Sequence, residues 1–527
     1  MTTVTNPILP GCYPDPSICR VGEDYYLVSS TFEYFPGLPI HHSRDLVSWE
    51  PIGHAIDRAG QLDLDGMWSS SGLFAPTLRH HDGTFWLICT LVDQRDASRG
   101  GNFYVTATDP AGPWSDPVWI DESGIDPSLF FDDDGRIWVH GTRLAVEPRW
   151  HDQTEVWIRE LDPVTGRLVG DEHVVWHGAL ENAVWAEGPH LYRVDGTYYL
   201  LAAEAGTEFH HAVCVARADT VTGPYVGHKG NPVLTHRHLG RETDVIGVGH
   251  ADLVQAVDGS WWAVLLAMRP YGGYHYNLGR ETFLVPLVWE DGWPVFAPGV
   301  GRVPMRVDVP FAADARPGVT QGVASGVVGP HDVRWTSLRG PAHDVATPDG
   351  DGWQLRLTPT TLAEPASPAF LGVRQQHTDV DVRVTLRAVP AAGSAEEVGV
   401  VVRQSEADHV RLFVTPATAE AGAPAGRRVV AVHRQGGVER TLGETTLAAE
   451  DSEPLVLTVS ARGQDYALGV QGPGGEPTTV AVADGRTLDT VATGGFLGLW
   501  FGVYGTSNGL PTSTVAQVER FEYLPRG

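Results

Sequence analysis

Val21-Gly-Glu-Asp-Tyr-Tyr-Leu-Val is the first of five related segments in this chain. The others are His81-Asp-Gly-Thr-Phe-Trp-Leu-Ile, Asp133-Asp-Gly-Arg-Ile-Trp-Val-His, Val194-Asp-Gly-Thr-Tyr-Tyr-Leu-Leu and Val257-Asp-Gly-Ser-Trp-Trp-Ala-Val. Four carry Asp-Gly, a strong hairpin signal because glycine reaches the positive φ of a primed turn. The apolar pairs begin at Tyr25, Phe85, Ile137, Tyr198 and Trp261, at spacings of 60, 52, 61 and 63 residues. A short segment ending in an apolar strand precedes each hairpin: Asp15-Pro-Ser-Ile, Ala75-Pro-Thr-Leu, Asp126-Pro-Ser-Leu, Glu187-Gly-Pro-His-Leu and His250-Ala-Asp-Leu-Val. No long helical periodicity intervenes. A repeat of this length built of strands and turns reads as a four-stranded blade, and five in a ring make a β-propeller over residues 1–305.

After Arg302-Val-Pro-Met the texture changes. Residues 306–330 are rich in Ala, Gly, Pro and Val and read as a connector. From residue 331 to 527 alternation resumes, as in Val380-Asp-Val-Arg-Val-Thr-Leu and Val398-Gly-Val-Val-Val-Arg, without the Asp-Gly signature. Many strands at short spacing predict an antiparallel β-sandwich. The fold class is all-β.

Composition narrows the function. The 527 residues hold 37 Lys and Arg against 65 Asp and Glu, a formal charge of −28. A nucleic-acid or anionic-membrane surface needs clustered cations, so neither partner is expected. The first residues, Met1-Thr-Thr-Val-Thr-Asn-Pro, show no basic region followed by an apolar one, and no apolar stretch reaches membrane-spanning length. Four cysteines, Cys12, Cys19, Cys89 and Cys214, make no disulfide framework and no CxxC pair. The expected compartment is the cytoplasm. Oligomeric state stays open, a homo-oligomer included.

In a propeller the first strand of each blade lines the axis, so matched positions converge at one end of the channel. Those positions are Asp15, Ala75, Asp126, Glu187 and His250. Three acids on one axis, with aromatic residues nearby, suit glycoside hydrolysis. One carboxylic acid protonates the leaving oxygen, and a second carboxylate activates water or attacks directly. A third acid beside the proton donor raises its pKa by like-charge repulsion. Separation across a channel favours the inverting arrangement, which keeps room for a water. Each acid taken singly also reads as a turn cap.

The motifs Asn6-Pro-Ile-Leu-Pro-Gly-Cys-Tyr-Pro-Asp-Pro-Ser-Ile, Asp126-Pro-Ser-Leu-Phe, Trp185-Ala-Glu-Gly-Pro-His-Leu-Tyr and Gly249-His-Ala-Asp-Leu resemble glycoside hydrolase family 43. Leu278-Gly-Arg-Glu-Thr-Phe-Leu-Val-Pro and Trp289-Glu-Asp-Gly-Trp-Pro-Val are similar to its β-xylosidase-like members, which carry a C-terminal, concanavalin-like sandwich. The resemblance implies Asp15 as general base, Glu187 as general acid and Asp126 as the residue that tunes and orients Glu187. It implies Arg280 as a ligand of sugar hydroxyls and Phe32 as an aromatic wall of the pocket. Phe74 stands where many relatives have Trp, and Trp68 is a candidate for the mouth, with core packing as the alternative. His250 would face substrate and a calcium ion held mostly through waters, the alternative being a histidine that only hydrogen-bonds the acids. The implied activity is exo-acting release of xylose from small β-1,4-xylo-oligosaccharides. An α-L-arabinofuranosidase, an endo-acting arabinanase or xylanase, and a non-catalytic sugar-binding protein are the competing readings. A sandwich loop at Phe501 to Asn508 is expected to reach over the propeller face.

Overall fold

The computed structural model describes residues 2–311, 325–387, 395–416, 427–447, 454–471 and 476–526. Five antiparallel sheets of four or five strands follow one another along the first part of the chain. Their first strands, Ser17–Val21, Thr77–His81, Ile125–Phe131, Glu187–Val194 and Ile246–Gln255, lie side by side in chain order. The fifth lies against the first, which closes the ring around an axis lined by these five strands.

The apolar pairs of the repeat hold the ring together. Successive side chains of a strand face opposite sides of its sheet. The first member of each pair therefore packs against the preceding sheet and the second against the following one. Phe85 joins the core between the first and second sheets, while Trp86 joins that between the second and third. Trp138 continues the pattern between the third and fourth, Tyr199 between the fourth and fifth, and Trp262 between the fifth and first. At two hairpins, Asp82-Gly83 and Asp195-Gly196, both residues have positive φ, as a primed turn requires. In the third and fifth hairpins only the glycine does.

The segment read as a connector is structured at both ends. Arg306–Val309 pairs antiparallel with Thr2–Thr5, and Gly326–Val327 pairs with Val515–Pro525. Residues 312–324 of it lie outside the described residues. Beyond it, two antiparallel sheets stack face to face over one apolar core. Alternation sorts their strands. Val398, Val400 and Val402 enter that core, whereas Val401 turns out toward the propeller and meets Phe32, Tyr34 and Trp500. Charges are buried at this junction. Arg403, with no exposed side-chain surface, donates to Tyr34 at 2.8 Å and to Glu406 at 3.0 Å, and faces Glu33 at 3.3 Å. Ser337–Leu338 adds a two-residue pairing with Tyr34–Phe35.

Candidate active site

The residues at the matched axial positions are held in unusual backbone. Asp15, Asp126 and His250 have φ of 54°, 52° and 49°, and Gly188, next to Glu187, has 53°. Left-handed φ at a non-glycine residue costs on the order of 1–3 kcal/mol and persists where the surroundings impose it. Register breaks accompany three of them, between Ile125 and Ser128, Glu187 and His190, and Gly249 and Asp252. A bulge of this kind re-aims a side chain out of the pleat. Here it brings the acids to one cavity.

That cavity is lined by Asp15, Asp126, Glu187, His250, Arg280, Phe32 and Phe74, together with Thr207, His211 and Phe496. Asp15 is buried and fully partnered. Its Oδ2 accepts from Ser30 Oγ at 2.7 Å and its Oδ1 from Arg280 Nη1 at 3.1 Å, with His250 Nδ1 at 3.4 Å. Burial opposes ionisation, but Arg280, His250 and Ser30 outweigh it and hold the carboxyl well below the usual range. Glu187 is in the reverse situation. Burial, then the charge of Asp126, push it up to about 8, against the pull of His250 and Arg280. Asp126 is itself raised, by burial first and by Asp15, while its Oδ2 accepts from the Gly188 amide at 3.0 Å. That bond ties Asp126 to the peptide next to Glu187. Burial works to lower His250, but its contact with Asp15 raises it overall.

The same cavity has an aromatic wall. Phe32, Phe74 and Phe496 pack at ring-centroid distances of 5.6 to 5.9 Å. The Arg280 guanidinium lies 5.6 Å from the Phe32 ring and 5.3 Å from that of Phe496, and Nη1 also donates to Thr207 Oγ1 at 3.1 Å.

Two expectations are corrected. Trp68 is not among the cavity's lining residues; the Arg95 guanidinium stacks 3.7 Å from its ring centroid. Phe501 to Asn508 is not the sandwich segment that reaches the site. Phe501 is buried in the sandwich core on strand Trp500–Thr506, and Asn508 lines a separate pocket. The reaching residue is Phe496. Gly494 and Gly495, with φ of 74° and 78°, swing the chain out of the short helix Thr490–Thr493, and the Phe496 amide then donates to Ser70 Oγ at 2.9 Å. A side chain at Gly495 would collide with that hydroxyl. The Gly-Gly-Phe turn was the available signal. Thr207 and His211 were also missed; they sit in Gly206-Thr-Glu-Phe-His-His, which no other repeat echoes. Burial keeps His211 neutral, lowered to about 3, and its Nδ1 faces the Gly247 carbonyl at 3.2 Å.

The implied calcium is testable against these side chains. Calcium takes six to eight oxygen ligands. His250 offers one imidazole, whose Nδ1 faces Asp15 and whose ring lies against Gly188. Among the described residues no group of three His, Cys, Asp or Glu side chains is placed to hold a metal. The residues do not fit calcium bound through protein ligands, and no step below runs through one.

The model of glycosyl hydrolases family 43 matches residues 4–294, and that of a beta xylosidase C-terminal concanavalin A-like domain matches residues 329–524. A protein named xylosidase/arabinosidase from Butyrivibrio fibrisolvens is 40% identical over 518 residues, covering 97% of each chain. The non-reducing end alpha-L-arabinofuranosidase BoGH43B of Bacteroides ovatus is 36% identical over 527 residues, covering 99% of this chain and 94% of its own. The crystal structure of a xylan beta-1,4-xylosidase from Bacillus halodurans superposes with a TM-score of 0.89 at 32% identity, covering 99% of this chain and 100% of that one. With a ring of sheets carrying three axial acids and a sandwich that supplies part of the pocket wall, the chain belongs to glycosyl hydrolase family 43 and is a glycosidase.

Proposed function

We propose that this glycosidase is exo-acting and inverting, and removes xylose from the non-reducing ends of β-1,4-xylo-oligosaccharides. One observation carries the reading: two carboxyls in one pocket are driven to opposite protonation states. Asp15 is held ionised by Arg280, His250 and Ser30, while Glu187 keeps its proton up to about pH 8. Paired acids set apart by environment take the roles of base and acid. Glu187 donates its proton to the glycosidic oxygen as the bond to the anomeric carbon breaks. Asp15 takes a proton from the water whose oxygen bonds to that carbon from the opposite face. One water is consumed and the configuration inverts. Asp126, tied to the Gly188 amide, keeps Glu187 protonated and oriented.

Arg280 and Thr207 offer polar groups to sugar hydroxyls, and the three phenyl rings offer an apolar wall to a sugar face. Phe496, brought from the sandwich, walls the site and favours recognition of a chain end over internal cleavage. A second reading, an α-L-arabinofuranosidase, is favoured by the name of the Bacteroides ovatus relative, which aligns along nearly all of this chain.

The test compares kcat/KM on xylobiose and on an aryl α-L-arabinofuranoside, with the anomeric configuration of nascent xylose read by NMR. The expected result is xylobiose cleavage with the α-anomer appearing first. Arabinofuranoside cleavage with xylobiose untouched would establish the second reading. A first-formed β-anomer would make Asp15 a nucleophile rather than a base.

A further inference from the structure

Two residues along from Asp15, Ala75, Asp126 and His250 stand Ser17, Thr77, Ser128 and Asp252, with His190 three along from Glu187 past the register break there, and two further on stand Cys19, Arg79, Phe130, Tyr192 and Val254. Arg79 reaches from the lower ring into the middle one. Its Nη1 donates to Asp252 Oδ2 at 2.8 Å and its Nη2 to Asp252 Oδ1 at 3.1 Å, a bidentate pair. Nη1 also reaches Ser17 Oγ at 3.2 Å, and Nη2 donates to His190 Nδ1 at 3.2 Å.

Other bonds at this level tie the strands together. Ser17 Oγ donates to Asp252 at 2.6 Å, Tyr192 OH to Asp252 at 2.6 Å, Ser128 Oγ to His190 Nδ1 at 3.1 Å, and Thr77 Oγ1 to the Pro127 carbonyl at 3.0 Å. Every axial strand therefore joins one network with the Arg79–Asp252 pair at its centre. The Asp252 side chain has no exposed surface. Below it the axis opens on the opposite face, between Arg79, Phe130, Tyr192 and Val254.

The Arg79 guanidinium, paired with the buried Asp252 carboxylate, thus places a fixed cationic group on the axis among the five strands. The His190 ring, which accepts from Arg79, is 6.1 Å from the His250 ring, so the guanidinium lies one side chain below the catalytic level.

We propose that Arg79 is a built-in axial cation: its guanidinium, anchored by Asp252, holds the five strands in register beneath the acids, and the enzyme needs no divalent metal. Arg79 is a positioning residue, since it touches neighbours of the acids rather than the reacting atoms. The inference rests on the reading of Asp15, Asp126 and Glu187 as the reacting groups. Metal content and melting are read without substrate, so its failure and the failure of that reading are separable.

Wild-type protein as purified in calcium-containing buffer and desalted is assayed for calcium by atomic emission; a second sample is passed through EDTA, and its melting temperature and kcat/KM are followed on adding calcium chloride. No bound calcium and less than a twofold change in kcat/KM are expected. In Arg79→Ala, kcat should fall by about a hundredfold with KM changed little, and guanidinium chloride at tens of millimolar, entering by the opposite mouth, should recover a tenth or more of the loss. Arg79→Lys, which keeps charge but not the bidentate fork, should fall between the two. Stoichiometric calcium in the wild type, or activity lost to EDTA and restored by calcium, would overturn the proposal. So would an Arg79→Ala variant of full activity, or one rescued by calcium and not by guanidinium. Should Arg79→Ala fail to fold, the wild-type metal measurements and Arg79→Lys decide the matter.

Discussion

Replacing Asp126 by Asn removes a charge while keeping an oxygen that accepts from the Gly188 amide, so the backbone next to Glu187 should stay in place. The Glu187 carboxyl sits at about 8 against an ordinary 4.5, with burial the larger cause and the Asp126 charge the next. A third or somewhat more of that rise, ~1–1.5 pH units, should therefore vanish with the charge. The alkaline limb of kcat/KM reports the essential acid of the free enzyme and should move from about 8 to ~6.5–7. At pH 8 the protonated fraction of Glu187 would fall from about one half to ~0.03–0.1, a ~5–15-fold loss of rate from protonation alone. At pH 5.5 that loss should nearly disappear. The assay is a pH profile of kcat/KM on xylobiose for both proteins. A limb that stays near 8, or moves upward, would refute the assignment of Asp126 as the group that keeps Glu187 protonated.

Asp15→Ala should abolish turnover of every substrate, whereas Glu187→Ala should lose ~10²–10⁴-fold on xylobiose and far less on a nitrophenyl xyloside, whose leaving group hardly needs a proton; parallel initial rates on the two substrates decide. Glu187 should also cost stability. Its folded pKa lies above the unfolded 4.5, so its contribution is complete below pH 4.5 and is lost as pH rises to about 8. At pH 7 the cost is on the order of 3 kcal/mol, and calorimetry should show Glu187→Gln melting higher than wild type at pH 7 but not at pH 4. Phe496→Ala should raise KM for xylobiose about tenfold with little change in melting temperature, because it strips a pocket wall and leaves the sandwich core intact; Michaelis kinetics and a melting scan test both halves.

Much of the ring was legible because its cause is periodic. The apolar pairs recur since each sheet must adhere to two neighbours, and Asp15, Asp126, Glu187 and His250 recur 10 or 11 residues before those pairs. Arg280 and Phe32 came from a motif rather than the period, and the structure places both at the cavity. Trp68 fails as a lining residue because aromatic character marks burial and sugar contact alike, and Arg95 already covers its ring.

Local pattern thus determined which residues form strands, which turns close them, and which acids share a level on the axis, because those features depend on neighbours within a dozen positions. Tertiary structure decided what the acids do. Asp15 and Glu187 occupy equivalent positions in the repeat, and only Arg280, 265 residues from Asp15, and Asp126, brought by another sheet, set their protonation states apart. The same holds for Phe496, placed 426 residues along the chain from the Ser70 that holds it. Electrostatic fields and pocket walls are sums over groups close in space, and spacing along the chain carries no record of that proximity until the sheets close.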